Sequence, residues 1–433
     1  MPVGRSLTPL LPPVCPACRG SSGKPGEVNA LSLGLGRYLA RTVLQAACLA
    51  ACVTGWRAAL AGDSGKDQVA GSGESAARVA IGLHDGAAVV GRIVIEAQDG
   101  GLLVEHDDGR YEILQPDRLA GRPPTPTPAA EPDTPQALGR RILAELPPGF
   151  DLLVTKHYVV CFDTSRDYAK WCAALFERLH EAFGTYWTRA GLEVHDPPRP
   201  LVVVIFADRR GYEAHAAATL GAAATRVVGY YDMLSNRVTT YDLTGSDALA
   251  GGRPRAAGAA GLAILSSPAA TGLVSTLVHE ATHQLAFNGG LHRRLAPVPL
   301  WVSEGLATYF ETPDLGNTRG WRAIGTVNRP RLEHFLENHR PGLIAAIVRD
   351  DEPFRQPDTA LDAYAAAWAL AHHLLQTRKP VFVAYLRSLA AKQPLAEDSP
   401  EARLRDFQAV FGDPAVVEQQ VIKAAARLAT GLR

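Results

Sequence analysis

Between Val79 and Leu114 the apolar residues fall in four short runs: Val79–Leu83, Ala88–Ile95, Gly101–Glu105 and Arg110–Leu114. Asp85-Gly86, Asp99-Gly100 and Asp108-Gly109 separate them. Strand-like runs joined by Asp-Gly pairs predict antiparallel hairpins, because glycine accepts the positive φ that tight turns demand. Residues 77–120 are therefore expected to form a small β-barrel-like module. No cluster of His, Cys or carboxylates lies within it, so binding or spacing is its expected role. Six prolines between Pro123 and Pro135 then predict a semi-rigid linker over residues 121–137, with a domain boundary there.

From about residue 138 strand and helix patterns mix, and residues 138–433 read as one α+β domain. His157–Phe162 is a predicted strand, and Leu201–Phe206 a predicted buried strand. Between them, Tyr168, Trp171, Leu175, Leu179 and Phe183 recur at helical spacing, predicting a helix over Asp167–Arg189. Val227–Asp242 reads as a hairpin turning near Ser235-Asn236, and residues 243–270 as a Gly/Ala-rich insertion. Beyond Leu273 the pattern is mostly helical, with breaks at prolines such as Pro297, Pro299, Pro313, Pro330, Pro341 and Pro380. No internal repeat is evident.

Composition narrows the function classes. A chain of 433 residues, 47% hydrophobic, can fill a sizeable core and excludes wholesale disorder. Its 44 basic and 44 acidic side chains cancel, and no polybasic block is present, so nucleic acid is not an expected partner. A multi-pass membrane protein and a disulfide-knotted miniprotein are excluded as well. Of the six cysteines, Cys15 and Cys18 form one isolated CxxC, and no second pair follows to close a zinc ribbon. Cys161, in a strand pattern, and Cys172, in a helical one, are expected to be buried thiols.

Arg37 and Arg41 precede the apolar run Thr42–Trp56, which is short for a membrane span but fits the core of an export signal. Residues 1–61 are thus expected to be an export or anchor segment with a disordered start. Leu49-Ala50-Ala51-Cys52 resembles a bacterial lipobox, which makes Cys52 the candidate lipid anchor; Ala59-Leu60-Ala61 offers an alternative cleavage site. The expected location is the cell envelope or periplasm. The 36 residues ahead of Arg37 run against both cuts, since a signal normally starts nearer the initiator.

The chemistry is concentrated in Ser275–Leu285, which contains His279-Glu280-Ala281-Thr282-His283. On a helix, residues four apart stack one turn above each other, so both imidazoles can face one ion. Glu280, about 100° round the helix from His279, can reach a water on that ion. Zinc with an open position for water needs a third protein ligand. Glu304, on the helix-like run Pro299–Glu311, can supply it, and Gly305 beside it lets two helices approach closely.

With both elements, HEATHQLAFN and WVSEGLATYFE, the chain resembles the gluzincin zinc metallopeptidases, and more closely a bacterial family of largely uncharacterised gluzincin-like proteins. The resemblance covers roughly residues 150–390. It implies a thermolysin-like catalytic domain, a small mixed sheet plus a helical C-terminal half, with the β-barrel-like module ahead of it. It implies Zn2+ on His279, His283 and Glu304, and Glu280 as general base. A peptide or protein is then the substrate, and since the G-x-M-E-N segment of aminopeptidases is lacking, an endopeptidase is the expected kind.

A downstream Tyr or His stabilises the tetrahedral intermediate in that superfamily. Tyr364 is the first candidate here, with His372, His373 and Tyr309 as alternatives. Glu311, about 10 Å along the helix from Glu304, is expected to be a supporting carboxylate, not a ligand. Arg237–Tyr241 sits where gluzincins place a peptide-pairing edge strand. The competing reading is a non-catalytic, zinc-stabilised binding module of the cell envelope, and hydrolysis of a non-peptide amide is a third.

Overall fold

The computed structural model describes residues 77–97, 99–129, 133–245, 263–267, 270–314 and 321–432. The export segment, Cys15, Cys18 and Cys52 lie outside them. Among the described residues no helix is long and apolar enough to cross a membrane.

The N-terminal runs form β1 (Arg78–Gly82), β2 (Ala88–Glu96), β3 (Leu102–Glu105) and β4 (Tyr111–Leu114). Gly86, Gly100 and Gly109 take the expected positive φ at their turns, between 85° and 87°. A two-residue strand, β5 (Thr125–Pro126), adds on from the proline-rich stretch and gives the antiparallel order β4-β3-β2-β1-β5. The expected barrel does not close. Along β3, Leu102 and Val104 face a small core with Ile81, Leu83, Val89 and Leu114, whereas Leu103 joins the main core. β4 and β5 stand at opposite edges of an open sheet, and the face that carries Leu103 packs on the larger domain.

Polar contacts fix that docking. Tyr111 donates its N–H to the Leu234 carbonyl (2.7 Å). Arg199 reaches Glu105 and the Asp107 carbonyl, both at 2.9 Å. Arg294, 7% exposed, donates to the Gly109 (2.7 Å) and Met233 (3.1 Å) carbonyls and lies 3.8 Å over the Tyr111 ring.

The second sheet is mixed. It comprises β6 (Asp151–Val154), β7 (Tyr158–Phe162), β8 (Leu201–Phe206), β9 (Gly229–Asp232) and β10 (Arg237–Tyr241), in the order β6-β7-β8-β10-β9. β8 pairs parallel with both β7 and β10, while β6 and β9 run antiparallel at the edges. Every residue of β7 and β8 is buried, which explains their unbroken apolar runs. Two helices pack beside them: α1 (Pro135–Leu143) on β6 and β7, and α2 (Arg166–Arg189), which connects β7 to β8. Asn236 turns the β9–β10 hairpin at φ 61°. The edge strand is therefore β9, and Arg237–Tyr241, expected at the edge, is enclosed between β8 and β9.

After α3 (Arg209–Leu220) the chain becomes helical: α4 (Thr271–Asn288), α5 (Leu300–Phe310), α6 (Arg329–Asn338), α7 (Leu343–Arg349), α8 (Glu352–Arg355), α9 (Ala360–Thr377), α10 (Lys379–Ala390), α11 (Pro400–Phe411) and α12 (Pro414–Gly431). Pro330, Pro353, Pro380, Pro400 and Pro414 stand in first turns, where the lost N–H has no intrahelical partner anyway. The architecture is thus α+β, with two sheets and a helical C-terminal half. Cys161 and Cys172 are free and buried, and burial pushes both thiols up to about 12.

Gly305 is where α5 meets α9. A Cβ there would stand 2.8 Å from the Ala367 carbonyl oxygen and 3.0 Å from the Ala371 Cβ. Backbone cannot yield as a flexible side chain does, so Gly305→Ala is expected to destabilise the fold by roughly 1–3 kcal/mol. Denaturant unfolding of the two proteins side by side measures it, and an unchanged midpoint would show that the helices separate freely.

Candidate metal centre

Every residue of α4 from Leu273 to Phe287 is buried, so its polar side chains must find partners inside the protein. Thr276 and Thr282 turn their hydroxyls back to the Gly272 and Val278 carbonyls. Gln284 donates to the Val202 carbonyl at 3.0 Å and the Asn236 carbonyl at 3.1 Å, which pins the helix to β8 and to the β9–β10 turn. Of the rest, His279, Glu280 and His283 face Glu304 of α5.

Their donor atoms converge. His279 Nε2 lies 3.1 Å from His283 Nε2 and 3.1 Å from Glu304 Oε2, and His283 Nε2 lies 3.5 Å from Glu304 Oε1. Ligands about 2.0–2.1 Å from a tetrahedral zinc ion stand about 3.3 Å apart. The triangle matches that edge length, and His279, His283 and Glu304 form a group able to hold a metal ion. Glu304 Oε1 is buried with His283 Nε2 3.5 Å away, a carboxylate oxygen suited to a cation. The residues fit a metal; its identity is a separate matter.

Behind the triangle, Glu311 accepts from His279 Nδ1 at 2.9 Å. That contact turns Nε2 toward the other donors and makes Glu311 the supporting carboxylate that its position on the helix suggests. Asn328 donates to Glu311 Oε1 at 2.6 Å, and Arg331, wholly buried, stands 3.6 Å from the same oxygen. Neither Asn328 nor Arg331 stands out in the sequence. The one local signal is Asn328 as the N-cap of α6, where its side chain accepts the Arg331 N–H.

Burial disfavours the His279 imidazolium, but hydrogen bonds to Glu304 and Glu311 and the charge of Glu280 outweigh it and push His279 up to about 10. Burial likewise opposes ionisation of Glu304, yet the charge of His283 and the hydrogen bonds from both imidazoles hold it below the usual carboxylate range. Glu280 is raised, chiefly by burial. Its Oε2 accepts the Tyr231 N–H of β9 at 2.7 Å, which ties the carboxylate to the sheet edge.

None of the other candidates belongs to the triangle of donors. Tyr364 is fully buried on α9, edge-on to Phe354 (5.5 Å), with the Arg331 guanidinium 5.3 Å from its ring centre. It stands on the Glu311–Arg331 side. Tyr309 bonds through its hydroxyl to Tyr186 (3.2 Å) and Gln376 (3.1 Å). His372 packs between Tyr309 and Trp368, and burial lowers its pKa, as it does that of His373. His292, between α4 and α5, attracted no attention in the sequence. Its ring is buried against Phe287, neither nitrogen has a side-chain hydrogen-bond partner among the described residues, and burial and the charge of His283 push it down to about 3.

Two outcomes follow for metal binding. Glu311→Gln is expected to weaken zinc binding about 10–100-fold, measured by competition with a chromophoric chelator; unchanged affinity would deny Glu311 its orienting role. Only neutral imidazole ligates, so zinc must displace the proton that His279 holds up to about 10. Affinity therefore rises with pH from 6 to 9, by about tenfold per unit for each proton displaced. Calorimetry in buffers of different ionisation enthalpy counts the protons, and a count of zero would contradict the raised His279.

Residues 273–396 match a family model described as a protein of unknown function (DUF1570). The matched stretch begins in α4, runs past α10 and contains the three candidate ligands, Glu280, Glu311, Arg331 and Tyr364. The chain matches no curated protein.

Proposed function

We propose that this protein is a zinc-dependent peptide hydrolase of gluzincin type, acting as an endopeptidase in the cell envelope. The observation that carries the reading is the triangle of His279, His283 and Glu304 with Glu280 on the next helical position. A structural zinc site has no use for a buried acid beside it, whereas water-dependent hydrolysis needs a base at that place. Bound zinc would supply Lewis-acid polarisation of a carbonyl and acidify a water toward about pKa 7.

The protein's own groups do the rest. Glu280 takes a proton on its carboxylate during attack and returns it to the departing amine nitrogen; its upward-shifted pKa suits that exchange. The Tyr231 N–H holds the carboxylate in place. Glu311 keeps His279 in the ligating tautomer. Tyr364 retains its role as candidate donor to the tetrahedral intermediate, with a buttressing role beneath Arg331 as the alternative.

One observation favours the second reading, a zinc-stabilised, non-catalytic binding module. Glu280 is 3% exposed, and His279, His283 and Glu304 no more than 2%, so the centre is closed to solvent. A hydroxamate separates the two readings because it requires an open metal position: binding by the zinc-loaded protein supports the hydrolase, and no binding supports the module.

Zinc-loaded protein is expected to cleave an unstructured protein substrate, and Glu280→Gln to keep its zinc while losing turnover by a factor of at least 10². Retained turnover would remove Glu280 as the base. Tyr364→Phe is expected to lower kcat about 10²-fold with zinc content unchanged if the hydroxyl is a donor; a loss of zinc instead would mark a buttress. The export reading rests on residues 1–61 alone, and mass spectrometry of envelope-extracted protein is expected to show a processed N-terminus, with lipid on Cys52. An intact N-terminus would overturn it.

A further inference from the structure

We infer that the chain holds a second transition-metal site, formed by His157, His180 and Asp196 and separate from the α4–α5 centre. His157 immediately precedes β7, His180 lies in α2, and Asp196 lies in the segment from α2 to β8. One ligand atom from each falls within 4.8 Å of the others.

His157 is prepared as a ligand. Its Nδ1 lies 2.6 Å from Glu177 Oε2, and the other Glu177 oxygen accepts the Thr155 hydroxyl (2.6 Å) and the His157 N–H (2.8 Å). A carboxylate on one ring nitrogen leaves the lone pair on the other, as Glu311 does for His279. That other nitrogen, His157 Nε2, is buried and has no hydrogen-bond partner among the described residues. Leaving a buried polar atom unpaired is unfavourable, and a cation on the lone pair would relieve it.

The His180 ring stacks on His157 at 3.8 Å and 15° and presents Nε2 3.8 Å from Asp196 Oδ1. Stacked rings cannot both aim in-plane at one ion. Glu177 holds His157, so coordination requires His180 to turn out of the stack toward Asp196. Two imidazoles and one carboxylate select Zn2+, Co2+, Ni2+ or Cu2+ over Ca2+ and Mg2+. The Asp196 side chain is 75% exposed, so this site is open to solvent and weaker than the buried one.

The segment that would be braced also touches the first centre's helix. His195, next to Asp196, donates its N–H to the Gly289 carbonyl at 3.1 Å, just beyond the end of α4. A Cβ at Gly290 would meet His195 Nε2 at 2.9 Å. An ion on Asp196 therefore steadies the chain against which the HExxH helix ends.

The test is zinc titration of the full-length, chelator-stripped chain by calorimetry, with elemental analysis after dialysis. Two equivalents are expected, one tight and one weaker. His180→Gln and His157→Ala are each expected to abolish the weaker equivalent and leave the tight one. His279→Ala with His283→Ala is expected to do the reverse. Glu177→Gln, with all three donors intact, is expected to weaken the second equivalent about 10–100-fold, and circular dichroism of each metal-free variant checks its fold. A single equivalent in the wild type would overturn the inference. So would a second equivalent that survives His180→Gln in a folded protein, since the ion would then sit elsewhere, for example on Cys15 and Cys18. Neither outcome touches the α4–α5 centre, whose own equivalent is read in the same titration.

Discussion

Charge buried without water is the constraint around which this protein is arranged. Glu280, Glu304, Glu311, His279, His283 and Arg331 are each at most 3% exposed. An ion so placed is tolerable only when paired and hydrogen-bonded on every side. The pairing here is layered. Asn328 donates to Glu311, Arg331 faces it at 3.6 Å as an ion pair without a hydrogen bond, Glu311 holds His279, and the two imidazoles face Glu304. The carboxylates of Glu304 and Glu311 that favour a proton on His279 would favour a cation at the same place. The elevated pKa of His279 and the capacity to bind a metal thus have one cause.

That constraint sets the packing. The donors come from two helices, so α4 and α5 must lie close and in fixed register. Gly305 brings α9 onto the back of α5, and Gln284 fastens α4 to β8 and the hairpin turn. The N-terminal sheet extends the scaffold outward, as Arg294 ties Gly109 to Met233 and packs on Tyr111. The module is consequently part of the same folded body as the hairpin whose β9 strand holds Glu280.

The sequence was legible where local chemistry and local geometry coincide. Two histidines a helical turn apart, a glutamate on a following helix and Asp-Gly turns each carry their meaning within a few residues. The family of antiparallel runs was read correctly as strands, but whether they curl into a barrel depends on what the second face meets, and Leu103 reveals that only after folding. The edge strand was misplaced for a like reason, because strand order is a long-range property that β10 itself does not encode. Asn328 lies 17 residues beyond Glu311, and its role and that of Arg331 depend on how α6 packs on α9. His157 precedes β7, Glu177 and His180 share α2 and Asp196 follows it, and no motif spacing gathers them.

The contact between Glu280 and Tyr231 links the chemistry to the sheet. A backbone N–H on an edge strand is a natural partner for an extended peptide, and here it is given to the proposed base. Gly229, Tyr230 and Tyr231 are themselves buried, so β9 is covered and not presented as a rail. A peptide could reach the centre along β9 only by taking over the Tyr231 N–H or approaching from the other side of Glu280. In the first case binding would free the carboxylate as it positioned the scissile bond, so that the base becomes competent only with substrate in place. In the second, the Tyr231 contact would persist through catalysis and hold the base still. Each route keeps Glu280 hydrogen-bonded or paired with substrate throughout, as a buried carboxylate requires.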